Sequence, residues 1–584
     1  KTKWRLSDIF PTAALWEEEF ARAKALVDRM PEVQQALSPE KASILRTLQE
    51  VSALSLLVDR LFSYARMLRD EDSRETVPQA LADRAESLAV RASAATAFVN
   101  PALLAMPEAL LRECLEDPAF SDHDRTLLYV LRNRPHTLNA EQEALLAEAG
   151  EVGGAPDTIY TLFTQADLTF PSITGSDGKP TDVSEARLYT LLTDRDGRVR
   201  KDAYETVMGT YGKFGNGLSA MYAASVKNDA FRARARKFPS AIEASLFASE
   251  IPPKVYDALL CAIDERLPAL NRYLLAKQKA MGLSEMHLWD LYVDPAKEFD
   301  LKLSYDEAFD LVLAALSPLG EDYVRTVREA KDRRWIDVYE NAGKAHGAYS
   351  WGCYGTHPFV LLNFAGTLDD ASTLAHELGH ALHSHYSNRA QPYPKAGYTI
   401  FAAEVASTVN EILLSQHLLN THADRAAQQS LLNALLEHYR TTVFRQTLFA
   451  SFERETHAMQ ERGEALTKEA LCDLYYGINE KFYGASCVVD EAVRHEWMRI
   501  PHFYSAFYVY QYATGFSAAV CIARKILREG ESAVKGYLKF LSAGGALPPI
   551  EALRLCGVDM ETPEPVREAL DWFEEMLERF EQAY

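Results

Sequence analysis

The sequence predicts a mainly α-helical protein with one small β element beside its most chemically loaded segment. Three observations carry that expectation. Apolar residues recur at helical spacing along most of the 584 residues, as in "KASILRTLQEVSALSLLVDRLFSYARMLRDED". Glycine and proline, 28 and 25 in number, gather between such runs rather than within them. Two short stretches break the helical pattern, and each carries strand and turn chemistry.

The elements follow in order. Roughly the first 150 residues read as successive helices, continuing through "VPQALADRAESLAVRASAATAFV" and "ALLRECLED". In residues 167–184, "DLTFPSITGSDGKPTDVS", short apolar segments flank "GSDGKP", the composition of a small hairpin. This region is the expected boundary between an N-terminal helical region, 1–185, and a catalytic helical domain, 186–584. Helices resume at "SEARLYTLLTDRDGRVRKDAYETVMGTYGKF". The second break, residues 343–367, "GKAHGAYSWGCYGTHPFVLLNFAGT", is rich in glycine and aromatics. Within it Phe359 to Phe364 reads as a strand bounded by Pro358 and Gly366. Helical patterns then run almost to Tyr584.

A composition that is 48% hydrophobic and 25% charged suffices for a large core. The formal charge, 62 − 83 = −21, disfavours nucleic acid and anionic lipid as partners. The seven cysteines are dispersed and form no C-x-x-C pair. That speaks against a disulfide framework or a thiolate zinc site and fits a reducing compartment. The opening "KTKWRLSDIFP" has no apolar core of a signal peptide, and it lacks an initiator methionine, as a trimmed chain would. No uninterrupted apolar run approaches about 18 residues, so no membrane span is expected and a cytoplasmic location is.

The chemistry concentrates in "DASTLAHELGHALHSHY". Read as a helix, it is capped by Asp370 or Ser372 and buries a stripe of Leu374, Leu378 and Leu382. His376 and His380, at i and i+4, project from one face. Two imidazoles so placed can reach one zinc ion at roughly 2.0–2.1 Å, with Glu377 beside them as a base. Gly379 inside the helix costs about 1 kcal/mol against alanine, which suggests that something approaches closely there. His383 shares the face, but three residues spread over about 10 Å of helix cannot converge on one ion. It reads as support or packing, and the third ligand should come from another helix. Glu404 lies 404 − 380 = 24 residues on, across the turn "NRAQPYPKAG". An ordinary surface carboxylate would be the default reading of Glu404, but its neighbours Phe401, Ala402, Ala403, Val405 and Ala406 are apolar, so it is expected to need a cation. Glu411, on the same face, is placed to accept from a ligating imidazole. In "RIPHFYSAFYVYQYATG" a helix from Pro501 would put Tyr504, Tyr508 and Tyr512 on one face. His502 and Tyr510, about 80° apart on another, would be a pair of donors to a developing oxyanion. The plainer reading of most of these tyrosines is a packing stripe.

Taken in order, "HELGHALH", "FAAEVASTVNE" and "IPHFYSAFYVYQYATG" resemble the oligoendopeptidase F group, the bacterial branch of the thimet oligopeptidase-like zinc peptidases. "GAYSWGCYGTHPFVLLNF" and "WRLSDIF" are similar as well, and the agreement is densest over residues 343–515. The resemblance implies a clam-shaped helical molecule whose deep channel admits short or unfolded oligopeptides. It implies one Zn2+ per chain on His376, His380 and Glu404, with Glu377 as general base. His502 and Tyr510 match the oxyanion-stabilising pair, with Tyr508 and Tyr504 as alternatives for the tyrosine. The β element at 348–364 matches a sheet whose edge pairs with a substrate strand. The expected reaction is hydrolysis of internal peptide bonds. Two other readings are a zinc exopeptidase, carboxypeptidase or dipeptidase, in a similar fold, and a non-catalytic peptide-binding protein on the same scaffold.

Overall fold

Helices dominate the computed structural model, which describes residues 2–296 and 301–584. Among them are α1 (Ala13–Ala36), α2 (Lys41–Glu71), α3 (Thr76–Thr96), α4 (Pro253–Ala280), α5 (Glu321–Asp332), α6 (Leu368–Ala390), α7 (Ile400–Thr421), α8 (Arg445–Glu461), α9 (Tyr510–Glu529) and α10 (Glu531–Ala543). The strands are β1 (Ile173–Thr174), β2 (Pro180–Thr181), β3 (Ile336–Asp337), β4 (Tyr349–Trp351) and β5 (Phe359–Leu361).

The chain divides into two compact units whose segments interleave. The first comprises Lys1–Pro135, Asp300–Leu418 and Ile522–Val558; the second comprises His136–Phe299, Leu419–Cys521 and Asp559–Tyr584. The boundary expected near residue 185 therefore falls inside a segment of the second unit.

In the first unit, α1, α2 and α3 pack on one another and on a three-stranded sheet of order β3-β5-β4. β3 runs parallel to β5, with Ile336 opposite Val360, and β4 runs antiparallel, with Tyr349 opposite Leu361 and Trp351 opposite Phe359. Phe359, Val360 and Leu361 are fully buried. A central strand covered on both faces explains the unbroken apolar run. The strand stops at Leu361, although the Leu362 and Phe364 amides still donate to the carbonyls of Asp337 and Val338, at 2.8 and 3.0 Å. The "WRLSDIF" segment joins the same core: Trp4, Leu6, Ile9 and Phe10 are buried, and the Trp4 ring lies 6.2 Å from those of Tyr349 and Phe359. The stretch Thr76–Ala105 reaches the length and mean hydropathy, 1.3, of a candidate membrane span. It still carries charge. Arg84 pairs with Glu17 at 2.7 Å and lies over the Trp16 and Phe20 rings, and Arg91 pairs with Asp28 at 2.8 Å.

In the second unit the expected hairpin forms within residues 167–184, with Ile173 opposite Thr181 and Thr174 opposite Pro180. Gly178 takes a φ of +77° in its turn, a conformation that favours glycine.

Candidate active site

The helix α6 begins at Leu368, earlier than its sequence suggests. Thr367 is the N-cap and Asp370 closes a capping box with it: the Asp370 amide donates to Thr367 Oγ1 at 3.2 Å, and the Thr367 amide to Asp370 Oδ2 at 2.8 Å. Ser372 lies inside the helix. Leu374, Leu378 and Leu382 are fully buried, which leaves the opposite side of the stripe to chemistry. There the Nε2 atoms of His376 and His380 lie 3.0 Å apart.

The other edge of each ring is already committed. His376 donates through Nδ1 to Glu411 Oε1, and the His380 ring donates to the backbone carbonyl of Ala403. Burial, helped by the charge of His376, pulls the His380 pKa down to about 4, so this ring is neutral at neutral pH. Burial lowers that of His376 too, but the hydrogen bond and charge of Glu411, with Glu377 and Glu404 nearby, overcome it and raise the pKa above its ordinary value. With their other edges so occupied, both Nε2 atoms meet at one point, where either a shared proton or a metal ion can hold them together. Glu404 Oε2 stands 3.8 Å from His376 Nε2. The ligand atoms of His376, His380 and Glu404 all lie within 4.8 Å of one another, the one such cluster among the described residues. A tetrahedral ion with bonds of roughly 2.0–2.1 Å spans ligands about 3.4 Å apart, so the three residues fit a zinc ion with one position left open. Glu404 is not the buried charge that its apolar neighbours suggest. Its neighbours Phe401, Ala402, Val405 and Ala406 are buried, but the Glu404 side chain is 49% exposed. Its place beside the imidazoles, and not a buried charge, makes it the candidate third ligand.

Glu377 lies next to this cluster without joining it. It is buried, accepts from the Ser350 amide of β4, and keeps Oε2 without a hydrogen-bond partner. Burial pushes its pKa up to about 7 against the pull of His376, with Glu404 and Glu411 adding to the rise.

The crossing of α6 with α7 aligns these groups. A Cβ at Gly379 would stand 2.6 Å from Ser407 Cα and 2.8 Å from the Ala406 carbonyl, so the close approach expected there is that of α7 itself. Asn410 locks the crossing: its Nδ2 donates to the Ala375 carbonyl at 3.0 Å, and its Oδ1 accepts from Tyr323 of α5 at 3.0 Å. From α10, Tyr537 donates to the Ala406 carbonyl at 3.3 Å. His383 is packing. Its ring stacks on Tyr398 at 3.6 Å and lies tilted to Phe540 at 5.4 Å, and burial pulls its pKa down to about 3.

His502 and the tyrosines belong to the second unit, and no continuous helix runs through them. A 3-10 turn covers Pro501–Tyr504, the chain breaks, and α9 starts at Tyr510. The helical angle between His502 and Tyr510 therefore does not apply. The rings around His502 are those of Tyr508, at 6.4 Å, and Tyr512, at 6.3 Å, which are 5.6 Å from each other. Tyr510 is 1% exposed and packs on Tyr256 at 5.0 Å, with burial driving its phenol pKa upward. Tyr504 stacks on Tyr160 at 4.4 Å.

Two family models match the chain: Peptidase family M3 over residues 190–572 and Oligopeptidase F over residues 103–170. The chain belongs to peptidase family M3. Within that family it falls in the oligoendopeptidase F group, as a metallo-oligopeptidase that cleaves internal peptide bonds. It is 41% identical to oligopeptidase PepF of Bacillus subtilis, over 99% of this chain and 87% of that protein. It is 35% identical to group B oligopeptidase PepB of Streptococcus agalactiae, over 100% and 97%. The crystal structure of oligoendopeptidase-F from Enterococcus faecium superimposes with a TM-score of 0.73 at 32% identity, covering 98% of this chain and 99% of that one. Some contributors escaped sequence reasoning. Ser350 and Ala403 act through backbone atoms, which carry no residue signature. Asn410 left only a faint signal, an amide close to the apolar Val409, Ile412, Leu413 and Leu414.

Proposed function

We propose that this chain is a zinc endopeptidase of short or unfolded oligopeptides, working in the cytoplasm, with Glu377 as its proton carrier. The observation that supports it most is the pair of Nε2 atoms 3.0 Å apart, each on a ring whose other edge is already hydrogen-bonded. His376, His380 and Glu404 would hold the ion. Zinc, when bound, supplies a Lewis acid that acidifies water and polarises a carbonyl. Glu411 and the Ala403 carbonyl orient the two rings. Glu377 accepts a proton at the free Oε2 and returns it to the leaving amine, while the Ser350 amide keeps the carboxyl aimed. A pKa near 7 suits a group that must both take and give a proton at neutral pH. The oxyanion donors in this reading are His502 and Tyr508, taken in place of Tyr510 because Tyr510 is buried against Tyr256. A charge of −21 makes peptides more suitable partners than nucleic acid or an anionic membrane. The test is a mixed peptide library, blocked at both termini and sorted by length, digested before and after chelation. Internal cleavage of short peptides that chelation abolishes and zinc restores is expected; cleavage indifferent to chelation would end the reading.

A further inference from the structure

Between Tyr504 and Tyr510 the chain turns at Phe507, whose φ is +58°. A phenylalanine occupies that left-handed region only where its surroundings hold it there. Ser245 donates through Oγ to the Ala506 carbonyl at 3.1 Å. The Phe507 ring, buried, lies 6.0 Å from Tyr256 of α4 and 4.5 Å from His457 of α8. The third neighbour is Glu453 of α8. Its carboxyl is wholly buried and faced by the Phe507 amide, yet among the described residues neither oxygen closes a hydrogen bond of full geometry and no cation pairs with it. Burial drives its pKa well above its ordinary value, which favours the uncharged acid. A buried acid so poorly partnered costs stability, and the feature it faces is this strained turn. The same helix registers the far end of the loop: Tyr256 donates to the Ala450 carbonyl at 2.7 Å and touches the Tyr510 ring at 5.0 Å.

We propose that Glu453 is a positioning residue, which with Ser245 fixes the Phe507 turn and through it sets His502 and Tyr508. The proposal rests on the reading of His502 and Tyr508 as oxyanion donors. The test uses the zinc-loaded full chain with an internally quenched peptide, reading kcat, KM and zinc content. Glu453→Leu should lower kcat by about 10- to 100-fold, the usual effect of an ångström-scale misplacement, with KM and zinc content unchanged. Glu453→Gln keeps a neutral acceptor and should restore kcat to near the starting level. Ser245→Ala should lower kcat by less. Wild-type kcat in Glu453→Leu, or a Glu453→Gln variant as slow as Glu453→Leu, overturns the clamp. If Glu453→Leu does not accumulate folded, Ser245→Ala decides: lowered kcat at constant KM supports the clamp and unchanged kcat overturns it. His502→Ala and Tyr508→Phe separate the two levels. Full activity in both removes the underlying reading, whereas losses there beside an active Glu453→Leu remove only the role of Glu453.

Discussion

Replacing Gly379 with alanine should uncouple metal binding from folding. The new Cβ would meet Ser407 Cα at 2.6 Å, where ordinary contact begins at 3.4 Å, so backbone must move by 3.4 − 2.6 = 0.8 Å. The three nearest atoms, Ser407 Cα and N and the Ala406 carbonyl oxygen, are all backbone, so no side chain can swing away to absorb the shift. The movement separates α6, which carries His376 and His380, from α7, which carries Glu404, Glu411 and the Ala403 carbonyl. Overpacking costs about 1–3 kcal/mol, and exchanging glycine for alanine within a helix returns about 1 kcal/mol. The fold therefore loses little. The site loses more, because one ligand and the partners of both imidazoles shift together, and disturbing such partners alone costs roughly 10- to 100-fold in metal affinity. Chelator competition measures that affinity, and thermal unfolding of the metal-free protein measures the fold. Gly209→Ala is the control, since nothing lies within 4 Å of the Cβ it would add. Wild-type zinc affinity in Gly379→Ala would refute the reasoning, as would equal losses in both variants.

Three further outcomes are expected. Glu404→Ala should lose bound zinc by elemental analysis while keeping its helical circular dichroism; retained stoichiometric zinc would assign the third ligand elsewhere. Tyr508→Phe should lower kcat by about 100-fold, in the range for one lost oxyanion donor, whereas Tyr510→Phe, whose ring packs on Tyr256, should change it little; the reverse order would return the role to Tyr510. In the metal-free protein Glu377 has a pKa raised from 4.5 to about 7. Its stabilising contribution is therefore present below pH 4.5 and lost as the pH rises through 7, on the order of 3 kcal/mol in all. Urea unfolding of metal-free Glu377→Gln at pH 5 and pH 8 should show that loss abolished; an unchanged pH dependence would contradict the buried, raised carboxyl.

The zinc pair and its helix were legible because both depend on local periodicity. His376 and His380 one turn apart, with three leucines on the opposite side, leave little freedom once the segment is helical. Glu404 was reachable from its spacing to the next helix, but the reason first attached to it, burial among apolar neighbours, failed because alternate positions of α7 face different ways. The 505–509 break was invisible. Pro501 signals a helix start correctly, yet a positive φ at a phenylalanine has no residue signature, and it is imposed by Ser245, Tyr256 and Glu453, all distant in sequence. The interleaved units are hidden for the same reason, since they are defined by contacts between segments hundreds of residues apart.

If Glu377 moves the proton while His376, His380 and Glu404 hold the ion, the two functions separate in Glu377→Gln, loaded with one equivalent of zinc and incubated with a peptide blocked at both ends. The expected result is zinc content equal to that of the unaltered protein and no internal cleavage by mass spectrometry, beside complete cleavage by the unaltered protein. Internal cleavage by zinc-loaded Glu377→Gln at an undiminished rate would contradict it.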